Sequence, residues 1–388
     1  MGKHGPSIYS PRGVLRSQMS RPAEPPLRPL ELATEYATGQ ARSPLPIIEP
    51  PQGASPASAR RALEDAVLRA LQRPPCLVSF SGGLDSTAVL AVAVHAAREA
   101  GLPLPIPITW RFPGAPSTDE AEWQEAVIAE LGVMDWIRRA ATDELDYVGP
   151  VAEAAIRRHG LLYPANTHLH APLLDAARGG SLLTGIGGDQ ILGFWRWRHP
   201  AKIAARVAPP VVHRLRAAAQ HPRPPWLVRS AALSARWNVG DLALDPRRWS
   251  ARVRWQASRR RLALTVQSMD LIARDRDVAA VHPLLDPAFM GAAAAVGGNA
   301  GLGDRPTTLT VLLDGLMPRA VSRRRTKATF DGVFWSTPSR RARRQWDGSG
   351  VDPDVVDPAR LRELWRADAP PWGTALLLQS VAFARRVG

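Results

Sequence analysis

Cys76-Leu77-Val78-Ser79-Phe80-Ser81-Gly82-Gly83-Leu84-Asp85-Ser86 is the stretch that decides the fold. Cys76 to Phe80 is a short apolar run of strand length, and Thr87 to Ala100, just beyond the loop, is alanine-rich and helix-forming. Between them, Gly82 and Gly83 allow a tight turn and close approach of backbone to a ligand. The helix that follows offers unpaired N–H groups and a positive dipole end to an anion. Phosphate is the natural guest. Ser81 and Ser86 add hydroxyl donors, whereas Asp85 would repel phosphate unless a cation lay between them, so its presence argues for Mg²⁺. Cys76, at the start of a buried strand, is expected to be an inert core thiol.

Working outward, Ala59 to Gln72 has apolar residues at helical spacing. Pro105 to Trp110 reads as a second strand and Asp119 to Leu131 as a second helix. Ser181 to Thr184 is a further buried strand running into Gly185-Ile186-Gly187-Gly188-Asp189. Alternating strands and helices predict an α/β fold, a parallel sheet flanked by helices, whose ligands bind where the strands' carboxyl ends carry both glycine loops. Beyond Phe194 the signals are mostly helical and broken by proline, so the C-terminal half is expected to be helical and packed on the sheet. Residues 1–56 are rich in Pro, Ser and Arg without a sustained period and read as an arm or a reduced remnant domain, with residues 57–388 forming the main domain.

Composition narrows the function. A net charge of +15 and a pI near 11.2 would ordinarily suggest nucleic acid or an acidic partner. Arginine outnumbers lysine throughout, though, and much of the excess lies between Trp195 and Leu262, where Asp241 and Asp245 are the only acids. That segment is the expected partner surface, suited to an acidic peptide or a carrier-bound substrate. An RNA-binding or tRNA-modifying role would fit the charge, but no zinc-ligand cysteines or stacking-aromatic module supports it, so nucleic acid is not the expected partner. The single cysteine excludes an intramolecular disulfide. No signal-peptide core or membrane-length apolar stretch appears, so a soluble cytoplasmic protein without a membrane partner is expected. The Walker lysine–serine pair is missing after Gly83, and Gln190 stands where a dinucleotide fingerprint needs its last glycine.

Four blocks in order resemble the pyrophosphatase-loop ATP enzymes, and specifically the synthetase domain of asparagine synthetase with its relatives the β-lactam synthetases and lasso-peptide cyclases. They are the first loop; Leu183-Thr184-Gly185-Ile186-Gly187-Gly188-Asp189-Gln190; His282-Pro283-Leu284-Leu285-Asp286; and Met317-Pro318 followed by Arg325-Thr326-Lys327-Ala328-Thr329-Phe330. The resemblance implies an adenine nucleotide alpha hydrolase-like fold and an ATP-dependent ligase that adenylates a carboxylate and passes it to an amine. It implies ATP phosphates on Ser81, Gly82, Gly83, Asp85 and Ser86, with Gly185 in the second loop. It further implies Mg²⁺ on Asp85 and Asp189, and Lys327 as the catalytic cation.

The chain departs from this pattern at Ile186, where asparagine synthetases carry Glu and β-lactam synthetases Tyr. Isoleucine cannot move a proton, so either another residue deprotonates the amine, with Tyr163, His168 and His170 as candidate bases, or the substrate binds with its amine already neutral. The N-terminal cysteine of a glutaminase domain is also missing, so the amine is expected from free ammonia, a partner protein or the substrate itself. Ring closure by an intramolecular amine is the leading expectation. Asparagine synthesis from aspartate and external ammonia is the alternative.

Overall fold

The computed structural model describes residues 23–50, 53–193, 209–220, 223–313, 315–319, 328–367 and 371–384. Five strands, β1 (Cys76–Ser79), β2 (Ile106–Arg111), β3 (Ile137–Ala140), β4 (Ser181–Leu183) and β5 (Ala279–Val281), form one sheet in the order β3-β2-β1-β4-β5. Every neighbouring pair is parallel. The chain therefore runs outward from β1 to β3, then crosses back to β4 and β5. The reversal falls between β1 and β4, and ligands of open α/β sheets bind in the crevice at the carboxyl ends beside such a switch point.

The sheet is buried on both sides, as parallel sheets require. Successive side chains alternate: Leu77 and Leu182 join one apolar cluster with Ile108, Leu173, Leu174, Met269 and Ile272. Val78 and Leu183 join the other, with Leu63, Val67, Val89 and Ala93. Two helices supply that second face, α2 after a short α1 (Pro29–Thr34). Helix α2 (Pro56–Leu71) starts where Ser55 and Ser58 cap each other reciprocally, and it buries Ala59, Leu63, Ala66, Val67, Ala70 and Leu71 along one stripe. Helix α3 (Leu84–Glu99) is covered almost all round, which is why the sequence there is alanine and valine instead of amphipathic.

The α/β parallel sheet expected from the first loop is the fold the chain adopts. Two strands escaped the sequence reading for physical reasons. Strand β3 is an edge strand reading Ile-Arg-Arg-Ala with three exposed residues, so it shows no apolar run. Strand β5 is only three residues long, set in a helical stretch. The basic segment after Trp195 is only partly surface, since Arg252 and Arg260 are among its buried residues; its first residues, to Ala208, lie outside the described ones.

Residues 23–50 carry no periodic pattern, yet they pack on the body through charge. Arg260 opens a helix, Arg260–Arg274, and its side chain is 1% exposed. It lies 3.0 Å from Glu24 Oε2 and 2.9 Å from Glu31 Oε1, and it also donates to the carbonyls of Pro25 and Pro26. The other Glu24 oxygen accepts from the backbone N–H groups of Arg42 and Ser43. Glu35 caps the helix Ala375–Ala384 by accepting from Ala375 and Leu376. A buried guanidinium with two carboxylates is costly to split. Arg260→Leu leaves both acids buried without their cation, and urea denaturation should show a loss of about 3–5 kcal/mol.

Candidate active site

The loop after β1 is knit by its own hydroxyls. Ser86 Oγ donates to the Gly83 carbonyl at 3.0 Å, the Ser81 and Ser86 hydroxyls lie 3.1 Å apart, and Gly83 N–H donates to Ser81 Oγ at 3.2 Å. Gly82 has φ +78°, a conformation that suits glycine. Gly83 is the N-cap of α3 and makes no side-chain cap, so the first turn of a sixteen-residue helix presents its dipole to the crevice.

The second loop reaches the first because it lacks side chains. A Cβ on Gly185 would lie 2.9 Å from Ser86 N, and one on Gly188 would lie 2.2 Å from Asp85 Cγ. Gly187 has φ +98° and would meet Leu285. The short helix Gly188–Ile191 then carries Asp189 beside Asp85. One guanidinium marks their convergence: Arg305 Nη1 is 3.2 Å from Asp85 Oδ2 and also contacts Asp189 Oδ1.

Gly185 thus serves as the spacer between loops. Arg305, which begins the helix Arg305–Leu313, was not anticipated. Its signal was a cation at the positive end of a helix, a position favourable only with carboxylates nearby.

A third element ties in the last block. The helix Ala121–Leu131 has Glu120 as its N-cap, and Glu120 accepts from Ala328 N–H at 2.7 Å. One turn on, Gln124 donates to the Ser81 carbonyl at 2.9 Å and accepts from Arg111. Near the other end of the same helix, Glu130 accepts from Arg319 N–H. Lys327 itself, with Arg325 and Thr326, lies outside the described residues. Ala328, its neighbour, is anchored one helical turn from the residue that holds the first loop.

Of the three candidate bases, two are structural. His168 is 1% exposed and both ring nitrogens meet backbone carbonyls, of Ala165 and Leu145, at 3.0 Å. The Tyr163 hydroxyl meets Glu35 O and Ala37 N, and burial pushes its pKa up to about 12. His170 keeps one ring nitrogen on Thr167 O, and burial holds its pKa down to about 4. Ile186 packs against both apolar clusters and brings no polar side chain to the crevice. Cys76 is buried, which pushes its thiol up to about 11.

Among the described residues no three His, Cys, Asp or Glu groups converge to hold a metal by themselves. A pair of carboxylates gathered on one cation is nevertheless a fitting donor set for a hard ion that takes its remaining oxygens from phosphate and water. No described helix is long and apolar enough to cross a membrane.

Loops that meet at the switch point of a parallel sheet, one opening a long uncapped helix and the other bringing a second acid to the first, form a crevice suited to the phosphates of a nucleotide. The family model described as asparagine synthase matches residues 58–380, and the chain belongs to that family of ATP-dependent ligases forming carbon–nitrogen bonds. No curated protein matches the chain.

Two measurements check this geometry. Gly188→Ala forces a methyl into the Asp85 carboxylate, and urea denaturation should report a loss of about 1–3 kcal/mol. The second concerns acid. Burial holds His170 and His282 down to about 4 against an ordinary 6.5, so between those values the unfolded chain binds protons that the folded chain refuses. Stability is therefore expected to fall as pH drops from about 6.5 towards 4. A His170→Asn variant should show a shallower fall in urea midpoint across that window.

Proposed function

We propose that the protein adenylates a carboxylate at the crevice between β1 and β4 and passes the acyl group to an amine of the same molecule, closing a ring as lasso-peptide cyclases do. The observation that carries the activation half is the meeting of Asp85 and Asp189 at a single cation beside the open helix N-terminus. ATP would place its phosphates against Ser81, Gly82, Gly83 and Ser86, where the hydroxyls and the helix end favour negative charge. Asp85 and Asp189 would hold Mg²⁺, which neutralises charge on the departing pyrophosphate.

In the first step a carboxylate oxygen bonds to the α-phosphorus and pyrophosphate leaves with the electron pair of the broken P–O bond. In the second the amine nitrogen bonds to the acyl carbon and AMP leaves. Lys327 fits the role of a flexible point charge following the negative charge between the two steps.

Ile186 supports an amine that arrives with the substrate. Its packed side chain offers a small free amine no hydrogen bond. An amine tethered to the acyl group needs less help, because the tether supplies a high effective concentration. An acidic linear peptide is the substrate class that suits the chain's net positive charge.

The test incubates the protein with ATP, MgCl₂ and linear peptides that each carry a free N-terminus and one Asp or Glu. Pyrophosphate release and a peptide lighter by one water are expected. Turnover of aspartate with ammonia, and of no peptide, would select asparagine synthesis instead. Lys327→Ala is expected to slow turnover roughly a hundredfold or more. Asp189→Asn should abolish pyrophosphate release without changing the circular dichroism spectrum.

A further inference from the structure

Amide formation releases a proton that a nearby group must receive. His168 and Tyr163 are held by backbone groups, and Asp85 and Asp189 face a cation. His170 has one ring nitrogen on Thr167 O and stands just before α-helical Ala171. Among the described residues, an imidazole with a nitrogen to spare also stands at the carboxyl ends of β4 and β5. His282 follows Val281, the last residue of β5, and its Nδ1 is 2.7 Å from Thr184 Oγ1 at the end of β4.

Thr184 is fixed in turn. Its backbone N–H donates to Val281 O at 3.0 Å, and its hydroxyl accepts from Ile186 N–H at 3.2 Å. The turn after His282 is closed by Leu285 N–H donating to the His282 carbonyl, and the Leu285 side chain fills the space left by Gly187. His282 Nε2 is enclosed and has no hydrogen-bond partner among the described residues. An enclosed ring nitrogen without a partner costs stability, and such costs concentrate where a site needs the group.

We propose that His282 Nε2 is the general base of the amide-forming step and that Thr184 orients its ring, an inference resting on the ligase reading above. In the tautomer that donates Nδ1–H to Thr184, the Nε2 lone pair is left for the substrate. As the amine nitrogen forms its C–N bond at the acyl-adenylate carbonyl, the C–O bond to phosphate breaks and AMP departs with that pair. The N–H proton passes to Nε2. Burial holds the ring down to about 4, so at neutral pH it carries no charge and Nε2 keeps its lone pair. One residue beyond Thr184, Gly185 touches the backbone of Asp85 and Ser86, so this base stands beside the activating loop. The apolar Ile186 is thus tied through its own N–H to Thr184, the residue that orients the base.

The experiment separates the two steps with the peptide set described above. Hydroxylamine, a nucleophile that needs no enzyme base, traps the acyl-adenylate as a hydroxamate, while loss of one water in its absence reports the amide. His282→Ala should keep hydroxamate formation close to wild type and lower amide formation about 10²–10⁴-fold, with partial recovery on adding free imidazole. Amide formation at the wild-type rate would overturn the proposal, as would its loss in His170→Ala alone. His282→Gln guards against misfolding: if both His282 variants lose both products, the ring is structural and the proposal fails. Wild-type protein yielding neither product would instead sink the ligase reading, and this inference with it.

Discussion

The site depends on two missing Cβ atoms. Gly185 and Gly188 let the loop after β4 lie directly on the loop after β1, with Gly185 against the backbone of Asp85 and Ser86 and Asp85 filling the space that a side chain on Gly188 would take, while Gly187 makes room for Leu285. A methyl on Gly185 or Gly188 pushes the loops apart. Because the strands that carry these loops are adjacent only at the switch point of the sheet, the approach brings together acids separated by about a hundred residues of chain. Asp85 and Asp189 meet only because the glycines permit it.

A second layer holds that contact in register. Glu120 and Gln124, one helical turn apart, bind Ala328 and Ser81, and Glu130 binds Arg319. One helix therefore fixes the first loop and both flanks of the segment that includes Lys327. Rigid elements position such groups more closely than loops can. Arg305 completes the layer by balancing two carboxylates that would otherwise repel each other.

The excess of arginine is a weaker sign of an external partner than the net charge suggests. Arg252, Arg260 and Arg343 are all buried, and they satisfy carbonyls and acids inside the fold. Arginine's planar fork can serve several acceptors at once, so it replaces the apolar pattern that residues 23–50 lack. Part of the basic composition is thus architecture.

Local pattern was enough for the fold and for half of the candidate site. An apolar run, a glycine loop and an alanine-rich helix dictate strand, loop and helix because backbone freedom and burial act over a few residues. Asp85 and Asp189 were legible for the same reason, each standing in its own glycine turn. Strands β3 and β5 were not, since an arginine-bearing edge and a three-residue strand draw their stability from neighbours in the sheet. Nor were Arg305, Gln124 and the Thr184–His282 pair, whose meaning lies in contacts between segments 43 to 220 residues apart. His168 and Tyr163 looked like bases in the sequence and prove to be braces. The sequence by itself determined which residue types could hold phosphate and a cation, because that chemistry is local. Only the tertiary structure decided which side chains face the crevice and which are spent on the frame, because burial and hydrogen-bond partners are set by parts of the chain that meet late.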